Sequence, residues 1–388
     1  MSEDIQVHGY CEDNFTPVKE AFAENFKQGM ECGASFAATI DGEFVVDIWG
    51  GYADEAKTRL WERDTIVNVW SSTKVMTTIC ALMLVDRKRL DLDSPVAKYW
   101  PEFAQNGKEA ISVRYLFSHS SGLAGFSETV TPGNLYDWQY IVEMLATQEP
   151  LWEPGTQSGY HGLTMGYLLG ELVKRITRKT IGTFFRDEIA VPLDADFFIG
   201  LPEEYDSRVA EMIPPPPVKP GDSGYEELDP DTIRGKVRLN QPLDHTVVNT
   251  PGWRRAEIPA ANGHGNAHAM ARIGAVMACG GELDGIRFLT METINRMIEE
   301  QTNGIDLVLN TLIRWGLGVE LNTPERPLSP NERSFSWGGA GGSMMVMDLD
   351  ARMSWAYVMN KMGNGPHFLE PRNRRLSEAL YDVLTKRR

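Results

Sequence analysis

The chain reads Asn68-Val-Trp-Ser71-Ser-Thr-Lys74 directly before its most apolar run, residues 75–85, which predicts a buried helix. Residues at positions i and i+3 share one face of a helix, so we expect the Lys74 amine beside the Ser71 hydroxyl. Serine is a poor nucleophile at neutral pH and needs a base within hydrogen-bond reach. Burial and the positive end of the helix dipole favour a neutral lysine, the form that accepts a proton. The stretch therefore predicts Ser71 as a nucleophile, Lys74 as its base and the Ser71 N–H as an oxyanion donor.

A Ser-x-x-Lys spacing is not specific by itself, because about one is expected by chance in a chain of this length. The competing interpretation is an exposed helix start with a solvated lysine. Lys74 is followed at once by a nearly unbroken apolar run, which argues against a solvated amine.

Two further groups are candidates to complete such a site. Tyr160 lies in the turn-rich loop 153–162. A tyrosine near a lysine has its phenolate favoured by the cation and can pass protons, although a lone tyrosine is more often a packing residue. The glycine-rich stretch 336–342 is predicted to open a strand, whose edge can donate an N–H to an oxyanion. A glycine-rich hairpin entry explains that stretch equally well.

The predicted secondary structure changes character along the chain. A first amphipathic helix is expected from a cap at Thr16-Pro17 to Gly29, and a β-hairpin follows around Asp41-Gly42. Residues 66–200 are predicted to be mainly helical, and 201–259 to form a long irregular excursion. The remainder is predicted as a helix at 266–279, strands at 316–321, 342–348 and 352–360, and a last helix at 372–385.

This order of elements predicts an α/β (α+β) fold in which a central antiparallel sheet, flanked by helices, is interrupted by an inserted helical domain. Residues 1–65 and 260–388 are expected to form the α/β domain. Residues 66–259 are expected to form the insertion, including the excursion at 201–259.

Composition narrows the partners and the compartment. With 54 acidic and 38 basic residues the net charge is -16, which disfavours nucleic acid and anionic membrane surfaces as partners. The first residues lack the basic and apolar segments of a secretory signal, so a cytoplasmic location is predicted. Cys11, Cys32, Cys80 and Cys279 have no metal or redox spacing and are expected to be free thiols, with no cofactor.

Taken in order, the motifs resemble those of the family VIII carboxylesterases, which are relatives of class C β-lactamases and D-alanyl-D-alanine carboxypeptidases. The resemblance runs from about residue 15 to residue 365. Each piece is short, but the ordered set is specific. The pieces are Asn68-Val-Trp-Ser-Ser-Thr-Lys74, Leu90-Asp-Leu-Asp-Ser-Pro-Val-Ala-Lys-Tyr-Trp-Pro101, Ser118-His-Ser-Ser-Gly-Leu123, Trp152-Glu-Pro-Gly155, Tyr160-His-Gly-Leu163, Asn262-Gly-His-Gly265 and Trp337-Gly-Gly339.

The resemblance implies a β-lactamase/transpeptidase-like fold with its site between the two domains. It implies that Ser71 is the acylated serine, Lys74 its base and Tyr160 the proton shuttle of the family's Tyr-x-Asn position. It also implies that Ala340, just after Trp-Gly-Gly, supplies the second oxyanion N–H beside that of Ser71.

Two departures from the lactamase pattern bear on the substrate. Trp337-Gly338-Gly339 stands where β-lactamases carry Lys-Thr-Gly or a histidine-led equivalent, and a neutral indole cannot pair with a substrate carboxylate. Gly162 replaces the asparagine that would hold an acylamide side chain. Both departures are shared by family VIII esterases and favour uncharged esters.

The prediction is therefore a serine carboxylesterase that hydrolyses short-chain, small-molecule esters through an acyl-enzyme. An acyltransferase of the lovastatin-synthase kind, a β-lactamase and a D-amino-acid amidase or peptidase remain alternatives at the same site. A catalytically silent binding protein of this fold is the alternative from another class. The oligomeric state, monomer or homodimer, is left open.

Aromatic residues near the motifs are candidates for a substrate pocket, although core packing explains each one singly. The predicted pocket comprises Phe126, Trp138, Trp152, Trp337, Gly338 and Gly339. His119 and His161 are interpreted as structural. Two other patterns are set aside: Gly221-Asp-Ser223-Gly224, which resembles a protease signature but lies in a proline-rich loop, and His264 with His268, which lack the glutamate of a zinc peptidase helix.

Overall fold

An antiparallel sheet of nine strands dominates the computed structural model, which describes residues 5–215, 217–221, 225–241, 244–325, 327–364 and 370–387. The strands of the described chain are β1 Val7–Cys11, β2 Gly33–Ile40, β3 Glu43–Gly51, β4 Val67–Asn68, β5 Phe197–Ile199, β6 Gly263–Gly265, β7 Glu282–Leu283, β8 Ile286–Arg287, β9 Thr302–Ile305, β10 Leu312–Trp315, β11 Glu320–Leu321, β12 Ser334–Gly338, β13 Met344–Asp348 and β14 Met353–Met359. The main sheet has the order β1-β3-β2-β14-β13-β12-β11-β10-β9. It is the central antiparallel sheet that the sequence predicts.

Helices pack against this sheet and, within the inserted chain, on one another. They are α1 Thr16–Lys27, α2 Thr73–Asp86, α3 Val113–Phe117, α4 Pro132–Tyr136, α5 Trp138–Thr147, α6 Thr164–Thr177, α7 Ile181–Phe185, α8 Ile233–Leu239, α9 Pro251–Arg255, α10 Ala267–Ala278, α11 Met291–Met297 and α12 Pro371–Arg387. Helix α10 packs on β2, β13 and β14, and α1 packs against α12. Strands β13 and β14 are buried along their whole length, which explains why most of their residues are apolar.

The first hairpin has the turn that the sequence predicts. Strands β2 and β3 meet at Asp41-Gly42, whose φ angles are 51° and 89°. Two left-handed residues in sequence produce a type I′ turn, which matches the twist of the flanking strands. The hairpin prediction is confirmed.

The predicted strand at 316–321 is wrong over most of its length. Strand β10 ends at Trp315, and residues 316–319 form a turn closed by a 2.9 Å hydrogen bond from Gly316 N–H to Val319 O. Gly318 has a φ of 71° and lies so close to Thr78 of α2 that a Cβ atom would clash with its side chain. A glycine needed for close packing was mistaken for part of a strand.

Two other local expectations need correction, and two edge strands were missed. The stretch 336–342 does not open a strand: β12 ends at Gly338, and a short turn leads to β13. Thr16 does not cap α1, because its hydroxyl donates to Asp13 O, 2.7 Å away, and Phe15 holds the cap position. The edge strands β1 and β9 were not predicted, since they are largely exposed and lack an apolar alternation.

The inserted chain contains one small sheet as well as helices. Strand β6 pairs with both β4 and β5, so residues 263–265 join the inserted part, whereas the sequence-based boundary at 260 assigned them to the α/β part. With that change, the division into an α/β domain and an inserted domain stays a prediction.

The cysteines are free, as predicted. Among the described helices, none combines the length and the apolar character that a bilayer span requires. The cytoplasmic location stays a prediction.

Candidate active site

The nucleophile candidate lies at a constrained turn between β4 and α2. Trp70, directly before Ser71, has a φ of 48°, which is unusual for a bulky residue and costs on the order of 1–3 kcal/mol. The turn is secured from α2, because the Thr73 hydroxyl donates to Trp70 O at 2.5 Å and accepts from Gly263 N–H at 2.8 Å. Packing around Trp70 thus presents Ser71 at the entrance of the apolar helix.

The structure brings Ser71, Lys74 and Tyr160 together. Lys74 Nζ lies 3.2 Å from Ser71 Oγ, and the Tyr160 hydroxyl lies 2.7 Å from the same oxygen. Lys74 Nζ also lies 4.7 Å from the centre of the Tyr160 ring. A serine hydroxyl with a lysine on one side and a phenol on the other is the arrangement that nucleophilic catalysis needs.

The surroundings of Lys74 favour an uncharged amine. The side chain is fully buried, and burial holds the pKa of Lys74 well below its usual value of 10.5. Its described hydrogen-bond partners are Ser71 Oγ and two backbone carbonyls, Gly162 O at 2.7 Å and Ala260 O at 2.9 Å. A neutral amine has two N–H donors and one lone pair. The carbonyls take both donors, which leaves the lone pair for the Ser71 hydroxyl proton.

Tyr160 is a neutral phenol here, which corrects one expectation. Burial raises the pKa of Tyr160 far above its usual value of 10.0, and hydrogen bonds with Ser71 and Trp337 only partly offset this. The sequence-based argument expected a lysine cation to favour the phenolate, but a neutral Lys74 supplies no such charge. The phenol instead donates to Ser71 Oγ, and the Lys74 amine lies 3.2 Å from the same oxygen.

Asp306 holds the main chain of Tyr160 and was missed in the sequence. Its buried carboxylate accepts from Tyr160 N–H at 2.9 Å, from Val308 N–H and Leu309 N–H at 3.0 Å each, and from the Trp315 indole at 3.3 Å. Nothing in the local sequence marks this aspartate, because it acts on a loop 146 residues away.

The turn after β12 lies against the nucleophile turn. The Ser343 hydroxyl donates to Val69 O at 2.7 Å and lies 3.1 Å from Ser72 Oγ. A Cβ atom at Gly339 would clash with Val69 O, so this close approach requires glycine. In the part of the chain that the structure describes, the N–H of Ala340 has no acceptor, and Ala340 is exposed. These features suit the oxyanion role expected for Ala340.

The predicted pocket residues divide by location. Trp337 at the end of β12 has its ring centre 5.2 Å from that of Tyr160, and Gly338 and Gly339 follow it. Trp152 packs in one cluster with Tyr160. Phe126 is buried in the core, and its carbonyl accepts from Asn240.

Trp138 does not belong to the site. Its indole donates to Glu171 at 2.8 Å, and its ring packs on Tyr167 and against Gly170 between α5 and α6. This position corrects the sequence-based expectation, which rested on proximity to the motifs along the chain.

Gln241 is a further neighbour that the sequence did not reveal. Its amide nitrogen would lie 3.5 Å from a Cβ atom at Gly162, the position where the family pattern has asparagine. The amide comes from within the excursion 201–259, two residues after α8, so only the folded chain brings it here.

The two histidines near Tyr160 have structural partners. His119 Nδ1 accepts from the His161 N–H at 3.1 Å, and His161 Nδ1 lies 2.6 Å from Gly159 O. His161 Nε2 lies 2.7 Å from Ser121 Oγ. Both rings are buried, and burial lowers the pKa of each, so both stay neutral and hold the loop that carries Tyr160.

The two patterns set aside on sequence grounds are the histidine pair and the protease-like stretch. His264 Nδ1 lies 2.8 Å from Asn262 O, whereas His268 Nδ1 lies 2.9 Å from the Asp47 carboxylate. Asp222, Ser223 and Gly224 of the protease-like pattern lie outside the described residues.

These buried histidines predict acid sensitivity. Burial lowers the pKa of His161 and of His264 from 6.5 to about 3. Between these values the unfolded chain binds protons that the folded chain does not. Stability should therefore fall as the pH drops from 6.5 toward 3, by about 1.4 kcal/mol per pH unit for each histidine.

Urea unfolding at pH 7 and pH 5 measures this loss. His161→Gln is expected to reduce the pH dependence by about one proton. An identical pH dependence in His161→Gln and the wild type would contradict the assignment.

Comparison with known proteins agrees with the fold. A family model described as beta-lactamase matches residues 22–379. A curated relative, "Esterase/beta-lactamase LipL" of Mycobacterium tuberculosis (strain ATCC 25618 / H37Rv), is 33% identical over 374 residues, which are 92% of this chain and 83% of the relative.

Two solved structures are each 39% identical to this chain, with a TM-score of 0.90 and coverage of 97% of this chain and 100% of theirs. One is a family VIII carboxylesterase, and the other is a penicillin-binding protein homologue from Caulobacter crescentus. Fold and relatives together define a serine hydrolase with the β-lactamase/transpeptidase-like architecture. The chain belongs to the beta-lactamase family, and the resemblance to family VIII carboxylesterases is confirmed.

Proposed function

We propose that the protein is a carboxylesterase that hydrolyses short-chain esters through an acyl-enzyme on Ser71. The observation that carries this proposal is the Ser71 hydroxyl held between a buried, uncharged Lys74 at 3.2 Å and the Tyr160 phenol at 2.7 Å. A silent binding protein has no need for a lysine whose charge is removed by burial.

In the acylation step, Lys74 takes the Ser71 proton while Oγ attacks the ester carbonyl carbon. The N–H groups of Ser71 and Ala340 stabilise the negative carbonyl oxygen of the tetrahedral intermediate. As the C–O bond to the alcohol breaks, Tyr160 donates its phenolic proton to the leaving oxygen and regains one from the Lys74 ammonium. Water then attacks the acyl-enzyme, the same groups accept its proton, and Ser71 leaves reprotonated.

Preference for uncharged esters is supported by the groups beside the serine. Trp337, which occupies the position of the lactamase lysine, offers an indole ring where a carboxylate-bearing substrate would need a cation. Gly162 has no side chain to bind an acylamide. The names of similar proteins, an esterase/beta-lactamase and a carboxylesterase, agree with ester hydrolysis.

Hydrolysis of β-lactams is the second candidate, because the name of the 33% identical relative includes that activity. Both reactions use the same acyl-enzyme chemistry, and they differ in what the pocket must bind. A β-lactam carries a carboxylate and an acylamide, whereas a simple ester carries neither.

A substrate panel separates these functions. The purified protein is labelled with a fluorophosphonate and then assayed with a p-nitrophenyl butyrate ester, a chromogenic cephalosporin, and the ester with added alcohol acceptors. We expect labelling that is lost in Ser71→Ala, with ester turnover far above cephalosporin turnover and above transfer to alcohols. Fast cephalosporin turnover without ester turnover would reverse the order, and an unlabelled folded protein would indicate a silent binding protein.

Replacing Tyr160 with phenylalanine should lower kcat/KM for the ester by about 10²- to 10⁴-fold, because the proton transfer to the leaving oxygen is lost while the ring is kept. Tyr167→Phe is the matched control, since that buried hydroxyl donates to Leu135 O, 2.6 Å away, within the helical layer. Steady-state kinetics on both variants test the role. Near wild-type turnover of Tyr160→Phe would refute it.

A further inference from the structure

The turn that carries Ala340 is held from behind by the start of the C-terminal helix. Arg372 Nη2 donates to Gly341 O at 2.6 Å, and Asn373 Nδ2 donates to Gly342 O at 2.7 Å. Two consecutive residues of α12 thus bind the two carbonyls that directly follow Ala340.

Arg372 is itself fixed by a buried network of charges. Its side chain is 2% exposed, and the guanidinium forms ion pairs with Glu31 at 3.2 Å and Glu370 at 2.8 Å, both of which are buried. Nη1 also donates to Lys361 O at 2.8 Å. A buried ion pair contributes little to stability compared with apolar residues of the same size. A planar guanidinium with five donors in a rigid fork does, however, fix the directions of the groups that it binds.

The backbone of the turn depends on this contact. Gly341 and Gly342 have φ angles of 81° and 127°, in the region that favours glycine. A Cβ atom at Gly342 would lie 2.9 Å from Arg372 Nη2, so the guanidinium packs directly on the glycine. A side chain at position 342 would displace Arg372, and without Arg372 the carbonyl of Gly341 would lose this donor.

On its other side the same turn contacts the nucleophile. Gly339 packs on Val69 O, and the Ser343 hydroxyl bonds both to that oxygen and to Ser72. The turn 339–342 is thus clamped between the Ser71 turn and helix α12. Ala340 is the residue at the centre of the clamp.

We propose that Arg372 and Asn373 are positioning residues that aim the Ala340 N–H at the developing oxyanion. This inference rests on the proposed function, because it concerns the oxyanion of the same acyl transfer. Donors of an oxyanion site act only when they are held in place before the reaction. Arg372 and Asn373 touch neither substrate nor Ser71 and act through the turn alone.

The test compares an oxygen ester with its thionoester, in which sulfur replaces the carbonyl oxygen and accepts hydrogen bonds poorly. Arg372→Lys and Asn373→Ala are expected to lower kcat for the oxygen ester by about 10- to 100-fold, a part of what a lost oxyanion donor costs. KM should stay within about twofold, and kcat for the thionoester should fall much less. Arg374→Lys is the matched control, since that exposed arginine pairs only with Glu378 among its described contacts and should keep wild-type rates.

Each possible result either supports or overturns the inference that Arg372 and Asn373 position the Ala340 N–H. The inference is supported if the ratio of the oxygen-ester rate to the thionoester rate falls in folded Asn373→Ala, and also in Arg372→Lys when that variant has a wild-type circular dichroism spectrum. The inference would be overturned, and the proposed function would stand, if kcat fell equally for both esters or if kcat for the oxygen ester did not fall in folded Asn373→Ala. A wild-type protein that turns over neither ester overturns the proposed function, and the inference with it.

Discussion

Ser71→Ala is expected to lower ester turnover by on the order of 10⁵- to 10⁶-fold, because no acyl-enzyme can form without the hydroxyl. The side chain is small and only partly buried, so the fold should persist. Initial rates with an activated ester, measured beside the unfolding midpoint of the same sample, test both halves of this expectation.

The adjacent serine offers a matched control. The Ser72 hydroxyl lies 3.1 Å from the Ser343 hydroxyl, and its described hydrogen bonds include no amine, imidazole or carboxylate that could act as a base. Ser72→Ala should therefore cost less than about tenfold, the size of one lost hydrogen bond. If Ser72→Ala were the inactive variant and Ser71→Ala the active one, the identity of the nucleophile would be wrong.

Lys74→Met is expected to lower kcat/KM by about 10³- to 10⁴-fold, since the base that accepts the Ser71 proton is lost while the volume is kept. Lys98→Met is the control, because that exposed lysine contacts Ser94, far along the chain from Ser71. Ester turnover close to that of the wild type in Lys74→Met would contradict the role of the base.

The same variant tests the charge of the lysine. Burial lowers the pKa of Lys74 well below 10.5, so below pH 10.5 the unfolded chain binds a proton that the folded chain releases. This linkage destabilises the wild type at neutral pH, and the effect fades as the pH rises toward 10.5. Relative to Lys74→Met, the wild type should gain about 1.4 kcal/mol of stability per pH unit between pH 8 and 10. Urea unfolding across that range measures it, and a flat difference would mean that the amine is charged.

Local sequence was sufficient where neighbours along the chain decide the outcome. The contact of Lys74 with Ser71, the apolar run that buries α2, and the Asp41-Gly42 turn were all predicted, because each depends on a few adjacent residues, although Ser71 lies in the turn before α2 and not on the helix. The ordered motifs also identified the family and, through it, the antiparallel sheet. Predictions failed where glycine had a tertiary role, as at Gly318, and where an aromatic residue such as Trp138 was placed by proximity in sequence.

Only the tertiary structure decided which distant groups contact the site residues and which protonation states those residues have. The carbonyl of Ala260 reaches Lys74 from 186 positions away, Asp306 holds Tyr160 across 146, and Arg372 reaches Gly341 across 31. No local pattern encodes such contacts, because they depend on how distant segments pack. The charge of Lys74 and that of Tyr160 follow from burial, which is a property of the folded chain. The sequence by itself determined which side chains are present and to which family the chain belongs. Folding determined the protonation states and the orientations of those side chains.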